Sequence, residues 1–426
     1  MAATAISGAA FGAAMMAAGF HQPSVVISQL RFENWHMFQT FLAATATSAA
    51  IYAVAERLGY AKISPRNSSP LGLFSSYDGN IIGGGLLGAG MALSGSCPGT
   101  LYAQLAAGVR SGFHALDGAI IGGVLWSGLV SKLVKRRREK MGAKPEPAVV
   151  GEQLGLSNGT TLLLLEAVCV AVVAATVLYT PASPTAKIPG ALGGLLIGGA
   201  QLVSILTRRT MVGISGSYEE VGNFFWWLVR GADPNAKPSS YQNILFASWV
   251  AAGAWGLLRL VPGLASGPAY EMSPLLAVSG GVLMAVGSRM AGGCTSGHGI
   301  SGISLLSASS IVTIMTLQHK SIPSRYGNKV LPYFLIPHPF FAVTSTSIFI
   351  SSFISADWII MAAGLTSPNH FLNTGQVLGK SSRSGKMYWT RTTSVMQEPA
   401  SVNALSTLRR VCSACSATLS DISPVW

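Results

Sequence analysis

Long stretches without charge constrain this 426-residue chain more than any other feature of its sequence. A helix that spans a membrane needs about 20 mostly apolar residues. Uncharged windows of about this length occur at residues 1–22, 36–55, 188–207, 241–258, 272–288 and 299–318. Two more, 112–131 and 161–180, carry one acidic residue each, Asp117 and Glu166. Charged residues make up 10% of the chain, against about 25% in soluble proteins. This composition excludes a soluble enzyme or a coiled coil and indicates a polytopic membrane protein.

A further apolar region is interrupted by a cysteine. Residues 80–93 are rich in glycine but too short to span a membrane, and a second short apolar piece at 100–109 follows Cys97. This pattern is typical of a broken or re-entrant helix. Together with the windows it predicts an all-α fold of about nine transmembrane helices.

The positive charges predict an orientation. The net charge is +13, and the positive charges lie between apolar segments, as the positive-inside rule predicts. The densest basic run comprises Lys132, Lys135, Arg136, Arg137, Arg138 and Lys140. We predict that residues 132–158 form a cytoplasmic linker in a plasma-membrane protein, with Arg57, Lys62 and Arg66 on the same side. A nucleic-acid patch is the alternative, but the position between membrane segments argues against a nucleic-acid partner.

The first 30 residues lack charge and resemble a membrane helix more than a signal peptide.

The linker separates two halves that resemble each other, predicted at residues 1–131 and 159–318. GGGLLGAGMALSGSC at 83–97 aligns with GGVLMAVGSRMAGGC at 280–294, so that Cys97 matches Cys294. Each half also opens with a small-xxx-small helix, Gly8/Gly12 and Gly194/Gly198. Close helix packing alone would explain the glycines. The matched cysteines instead predict pseudosymmetric repeats around a central transport site.

The residues around the two cysteines suit a small anion that contains sulfur. Glycines let the backbone approach a ligand, hydroxyls and helix-start N–H groups donate to an oxyanion, and thiols are soft partners for sulfur. The predicted substrate path comprises Cys97, Cys294, His298, Gly95, Gly99, Gly293 and Gly297.

Several nearby residues have open interpretations. Arg289 either attracts anions or snorkels to the interface. His298 contacts the substrate, carries a proton, or caps the adjacent helix. Cys169 fits core packing within an apolar helix. The segment 217–227, with two glutamates followed by aromatic residues, resembles an interfacial segment.

Two weaker motifs point to cofactors or metals. Gly83-x-Gly85-x-x-Gly88 matches the dinucleotide pattern, but no strand precedes it. Cys412-x-x-Cys415 has no second pair to complete a zinc site. We therefore expect no cofactor and no metal.

The cysteine motifs resemble those of a known family. GSCPGT at 95–100 and GSRMAGGCTSGHGISG at 287–302 are similar to the two cysteine motifs of the YeeE/YedE sulfur-transport family. Residues 8–26, 193–201 and 213–220 resemble other parts of that family, so the resemblance covers about residues 6–318. It implies an integral membrane protein that takes up thiosulfate or a related inorganic sulfur compound, with Cys97 and Cys294 at constrictions of a central path. Some relatives add a cysteine from the first helical region, whereas this chain has none before Cys97.

The sequence after the second half departs from this pattern. Residues 319–365 form a divergent segment, within which residues 339–363 are apolar enough for an extra helix. Residues 366–426 are rich in serine and threonine and basic, and we predict a disordered polar tail.

The leading functional hypothesis is therefore transport rather than catalysis. Its partners would be an inorganic sulfur anion, the lipid bilayer and a cytoplasmic sulfur-accepting protein. The alternative is a membrane sulfurtransferase that forms a persulfide on a loop cysteine.

Overall fold

Helices form the regular structure throughout the part of the chain that the computed structural model describes, residues 1–184, 186–265 and 269–319. No strand occurs in these ranges. The helices are α1 (Ala2–Ala17), α2 (Pro23–Leu30), α3 (His36–Arg57), α4 (Asp78–Ser94), α5 (Thr100–Ala106), α6 (Arg110–Leu125), α7 (Ser131–Met141), α8 (Val150–Gln153), α9 (Asn158–Tyr179), α10 (Gly190–Arg208), α11 (Gly216–Val229), α12 (Gln242–Leu260), α13 (Pro274–Met290) and α14 (Ala308–His319). Trp126–Val130 and Ser296–Gly302 are π-helical, and Pro234–Ala236 and Pro262–Ala265 are 3₁₀ turns.

Five of the helical stretches are long and apolar enough to cross a membrane. They are α3, α9, α10, α12 and the continuous stretch from Arg110 to Met141. Shorter apolar helices include α1, α13 and α14. The prediction of an all-α, polytopic membrane protein is thus confirmed. The number of crossings and the boundaries of the halves stay predictions, and those made for residues 320–426 lie outside the described residues.

Two of the apolar windows do not form single helices. In window 1–22, α1 ends at Ala17, Gly19 takes a positive φ of 79°, and Pro23 begins α2. A single helix over 299–318 is also wrong, because Leu306 takes a φ of 56° between the π-helical segment and α14. That turn is held from outside the window, since the Ser307 and Ser309 hydroxyls donate to the carbonyl of Arg66.

The basic run lies on α7, which continues α6 beyond its apolar part. Arg137 donates to the carbonyl of Leu71 and Arg138 to that of Pro70. These bonds place the basic run at the same end of the bundle as the loop that contains Arg66, as the sequence predicted. The linker then passes between the halves, with a backbone bridge from Asn67 to Pro147.

Helices α4 and α13, which carry the matched motifs, pack directly against each other. A Cβ atom on Gly83 would lie 2.7 Å from the carbonyl oxygen of Gly287, and one on Gly90 would lie 2.6 Å from that of Gly280. The helices are therefore antiparallel and touch backbone to backbone. Because Gly83 aligns with Gly280 and Gly90 with Gly287, the contact is self-complementary, as across a two-fold axis.

The small-xxx-small helices also pack across the halves. A Cβ atom on Gly12 of α1 would collide with the carbonyl of Val250 on α12. A Cβ atom on Gly194 of α10 would lie 2.5 Å from the carbonyl oxygen of Thr40 on α3. Each half thus covers its opening helix with a helix of the other half.

Candidate functional site

The two cysteine loops leave opposite ends of the α4–α13 pair and turn back toward each other. Gly95 and Gly292 follow the two helices with φ values of 64° and 85°, a conformation that favours glycine. Cys97 then precedes the short helix α5, and Cys294 precedes the π-helical segment. The loops meet where the side chain of Thr295 faces the sulfur of Cys97. The predicted pair of broken helices is confirmed.

The Cys97 thiol is fully buried and held by neighbours in sequence. The Cys97 N–H donates to Thr100 Oγ1 at 2.7 Å, and the Thr100 N–H donates to Cys97 Sγ at 3.3 Å. Gln104 closes the loop from α5: its Nε2 donates to the carbonyl of Gly95 at 2.9 Å, and its Oε1 accepts from the Ser96 hydroxyl. This loop is stabilised largely by residues within ten positions of the cysteine.

The Cys294 thiol is also fully buried but has partners from distant parts of the chain. Its sulfur lies 3.2 Å from Ser296 Oγ. Backbone groups of Ile214 and Ser215, just before α11, and of Gly297 also face it. The start of α11 therefore forms one wall of the site beside Cys294.

Two tyrosines that the sequence reasoning missed lie with the thiols. Tyr218 is 1% exposed and lies near both Cys97 and Cys294. Tyr102 is also buried, and its hydroxyl lies 3.4 Å from Ser217 Oγ. The interfacial interpretation of segment 217–227 is thus wrong for its first two residues, because the fold turns them inward. Their resemblance to the family, in GISGSYEE, was the signal that could have identified them.

Two buried hydroxyls in this site lack hydrogen-bond partners within the described residues. They are Tyr218 Oη, which approaches Tyr102 without a bond of normal geometry, and Thr295 Oγ1, which faces the Cys97 sulfur without one. A buried polar group without a partner costs about 1–3 kcal/mol. Two such groups beside two thiols are therefore in place to donate to a ligand.

His298 is fully buried, and both of its ring nitrogens have protein partners. Nε2 lies 3.1 Å from the carbonyl oxygen of Ala291, and Nδ1 lies 2.8 Å from Ser310 Oγ. Because a carbonyl only accepts, Nε2 carries the hydrogen and Nδ1 accepts from Ser310. The ring thus ties the Cys294 loop to α13 and α14. Contact between His298 and substrate stays a prediction.

Two arginines lie near the Cys294 loop. Arg289 forms an ion pair with Glu219, which compensates its charge. Arg66, from the loop between α3 and α4, donates from Nε to the carbonyl of Gly297 at 2.6 Å and from Nη1 to that of Gly292 at 3.2 Å. Burial lowers the pKa of the Arg66 guanidinium, which nevertheless stays protonated at neutral pH. The role predicted for Arg289 stays a prediction, and Arg66 is a site residue that the sequence reasoning missed.

The four glycines of the predicted path leave space for their neighbours. A Cβ atom on Gly297 would lie 2.9 Å from Arg66 Nη2, and one on Gly293 would lie 3.0 Å from His298 Nε2. A Cβ atom on Gly99 would lie 3.1 Å from the terminal methyl of Met15. Gly95 combines a positive φ with a close neighbour, because a Cβ atom on it would lie 2.9 Å from Cβ of Pro23. The glycines thus permit the contacts that shape the loops.

The other candidate residues lie apart from this site. Cys169 is buried in α9 beside Glu166, as the packing interpretation predicted. Among the described residues, no group of His, Cys, Asp or Glu is placed to hold a metal ion. Cys412 and Cys415 lie outside the described residues.

Comparisons with known proteins identify the family of the chain. The sequence profile of the family described as Sulphur transport matches residues 17–318, a range that includes both cysteine loops. This chain belongs to that family. The protein is thus a multi-pass membrane protein that transports a sulfur compound.

The named relatives of this chain include transporters. The chain is 24% identical to "Thiosulfate transporter TsuA" of Spirochaeta thermophila over 296 residues, which is 66% of this chain and 84% of the relative. It is 35% identical over 121 residues to a "Probable transporter" of Xylella fastidiosa strain Temecula1, covering 28% of this chain and 79% of the relative. A "Probable transporter" of Xylella fastidiosa strain 9a5c is 34% identical to this chain over 121 residues.

Proposed function

We propose that the protein takes up thiosulfate, or a related inorganic sulfur compound, along a path between Cys97 and Cys294. The observation that supports this most is that two matched loops, each with a buried thiol, meet beside the hydroxyls of Tyr218 and Thr295. The relative named as a thiosulfate transporter supports the same substrate.

The chemistry of the site fits both ends of thiosulfate. The oxygen atoms of the anion would accept from Tyr218 and Thr295, whose hydroxyls lack partners within the described residues. Its terminal sulfur would accept from the thiols of Cys97 and Cys294. Thiols are weak donors, and weak contacts in series let an ion enter and leave. The path would thus conduct the anion without trapping it.

The orientation follows from the basic end of the bundle. Helix α7 and the Arg66 loop lie together there, and the positive-inside rule assigns such an end to the cytoplasm. We infer that Cys294, whose loop Arg66 contacts, belongs to the cytoplasmic side of a path across the plasma membrane. A cytoplasmic sulfur-accepting protein would receive the product there.

The test is growth and uptake in cells that depend on thiosulfate as sole sulfur source. We expect Cys97→Ala or Cys294→Ala to reduce uptake of labelled thiosulfate to background, while immunoblots show normal protein levels. Cys169→Ala, which removes a buried thiol outside the site, is the matched control and keeps wild-type uptake. Wild-type uptake in both loop variants would refute the thiol path.

One observation favours a second candidate, a membrane sulfurtransferase. The backbone groups of Ile214, Ser215 and Gly297 that face the Cys294 sulfur would stabilise a thiolate. Such a thiolate could attack the outer sulfur of thiosulfate, forming a persulfide S–S bond while the S–S bond of thiosulfate breaks and sulfite leaves with the electron pair. Mass spectrometry after exposure to thiosulfate discriminates: a persulfide on Cys294 supports catalysis, and an unmodified thiol in a transporting protein supports passage.

A further inference from the structure

Arg66 connects the two halves beside the Cys294 loop. It belongs to the first half, between α3 and α4, yet its guanidinium donates to carbonyls on both sides of Cys294, those of Gly292 and Gly297. Its own backbone carbonyl accepts hydrogen bonds from the hydroxyls of Ser307 and Ser309, which lie in the turn before α14. Arg66 therefore contacts the chain on both sides of Cys294 and again in this later turn.

The charge of Arg66 is not neutralised within the described residues. No carboxylate lies within ion-pair distance of its guanidinium there, whereas Arg289 is paired with Glu219. The titratable groups near Arg66 include Cys294, Tyr52 and Arg289. An uncompensated, partly buried cation is costly to keep and marks a functional site by default.

We propose that Arg66 is the positioning residue of the Cys294 loop and gives the basic end of the path its preference for anions. The proposal rests on the proposed function and adds to it a residue of the first half that serves the thiol of the second. Holding the carbonyls of Gly292 and Gly297 turns their negative ends toward the guanidinium and away from the anion. The positive charge raises the local concentration of anions beside Cys294.

The two effects can be separated because arginine and lysine differ. Lysine keeps the charge but cannot hold two carbonyls with a planar fork of donors. Glutamine keeps a donor but loses the charge. Arg66→Lys should therefore loosen the Cys294 loop but retain the preference for anions over cations. Arg66→Gln should remove that preference. Arg57→Gln removes an exposed arginine from the end of α3 and is the matched control.

The first measurement reads Cys294 without thiosulfate. In a variant with serine at Cys97, Cys169, Cys412 and Cys415, Cys294 is the remaining thiol. Its rates of modification by an anionic sulfonatoethyl and a cationic trimethylammonium methanethiosulfonate give an anion-to-cation ratio. We expect Arg66→Gln to lower this ratio about tenfold. Arg66→Lys should keep the ratio while both modification rates rise. Arg57→Gln should change neither the ratio nor the rates.

The second measurement is thiosulfate uptake into liposomes by otherwise native protein. We expect Arg66→Gln to raise KM about tenfold and to weaken its dependence on salt. Arg66→Lys should change the maximal rate more than KM.

The two measurements separate failure of this proposal from failure of the transport proposal. A wild-type ratio and KM in Arg66→Gln would overturn the role of Arg66, and so would a parent in which neither reagent reaches Cys294. If wild-type protein transports no thiosulfate but Arg66→Gln still changes the ratio, the proposed substrate fails and the role of Arg66 in selecting anions stands.

Discussion

The Cys97 and Cys294 loops begin from matching sequences but are stabilised in different ways. Cys97 is held by Thr100, and its loop is closed by Gln104, all within one short stretch of chain. The Cys294 loop is held by Arg66 from the first half and, through His298, by Ser310 of α14. A repeated motif thus produces a repeated turn, while each loop acquires its own support.

Because the two loops are supported differently, the positions of Cys97 and Cys294 should depend to different degrees on the rest of the molecule. The Cys97 loop carries its own hydrogen bonds, so changes elsewhere should affect it little. The Cys294 loop depends on contacts with α14, α11 and the Arg66 loop. Movement of any of these would change the position of Cys294, which makes that loop the better candidate for control of passage.

Of the changes that test the support of the two loops, His298→Ala should destabilise the protein most. The change leaves Ser310 Oγ and the Ala291 carbonyl without the ring and opens a cavity in a fully buried position. We expect a loss of about 3–5 kcal/mol in the free energy of unfolding. Thermal unfolding of detergent-solubilised protein measures it, together with faster modification of Cys294. His114→Ala, at a half-exposed histidine, is the control, and an equal effect of both would contradict the prediction.

Gln104→Leu tests the local support of the Cys97 loop. It leaves the Gly95 carbonyl and the Ser96 hydroxyl without their partner on α5. We expect a loss of about 1–3 kcal/mol and faster modification of Cys97, with the reactivity of Cys294 unchanged. If both thiols became equally reactive in the same unfolding and labelling experiments, the loops would not be independently supported.

A matched pair of glycine changes should give the smallest difference. In Gly297→Ala the new methyl meets the Arg66 guanidinium, which is fixed by two hydrogen bonds, whereas in Gly99→Ala it meets the flexible end of Met15. We expect about 1–3 kcal/mol of destabilisation for Gly297→Ala, as is usual for overpacking, and less for Gly99→Ala. Uptake and thermal unfolding of the two variants, measured side by side, check the order, and a reversed order would contradict it.

Much of the fold could be predicted from composition and spacing. Uncharged windows identified most of the long helices, and the repeated Gly-Cys motif identified the two turns. The break within residues 299–318 was not predictable in this way, because the stretch contains neither a charge nor a proline. Its cause lies far away, in the hydrogen bonds that Ser307 and Ser309 donate to the carbonyl of Arg66.

The site was predictable in part. Cys97, Cys294 and Gly95 stand out by alignment of the halves, and the motif after Cys294 adds His298, but Tyr102 and Tyr218 have no such signature. Arg66 resembled an ordinary loop cation of the positive-inside rule. Its role depends on tertiary contacts with the second half, and local sequence does not encode which distant carbonyls a side chain reaches.

The glycine contacts between α1 and α12, α3 and α10, and α4 and α13 have a consequence for biosynthesis. Each joins one half to the other, so the first half leaves the ribosome with its closest packing surfaces uncovered. Small domains usually fold as units in the order of synthesis, but here insertion of the early helices must precede their packing. The first half then completes its core only when helices of the second half pack against it. A chain that stops before α10 would have membrane helices without a site.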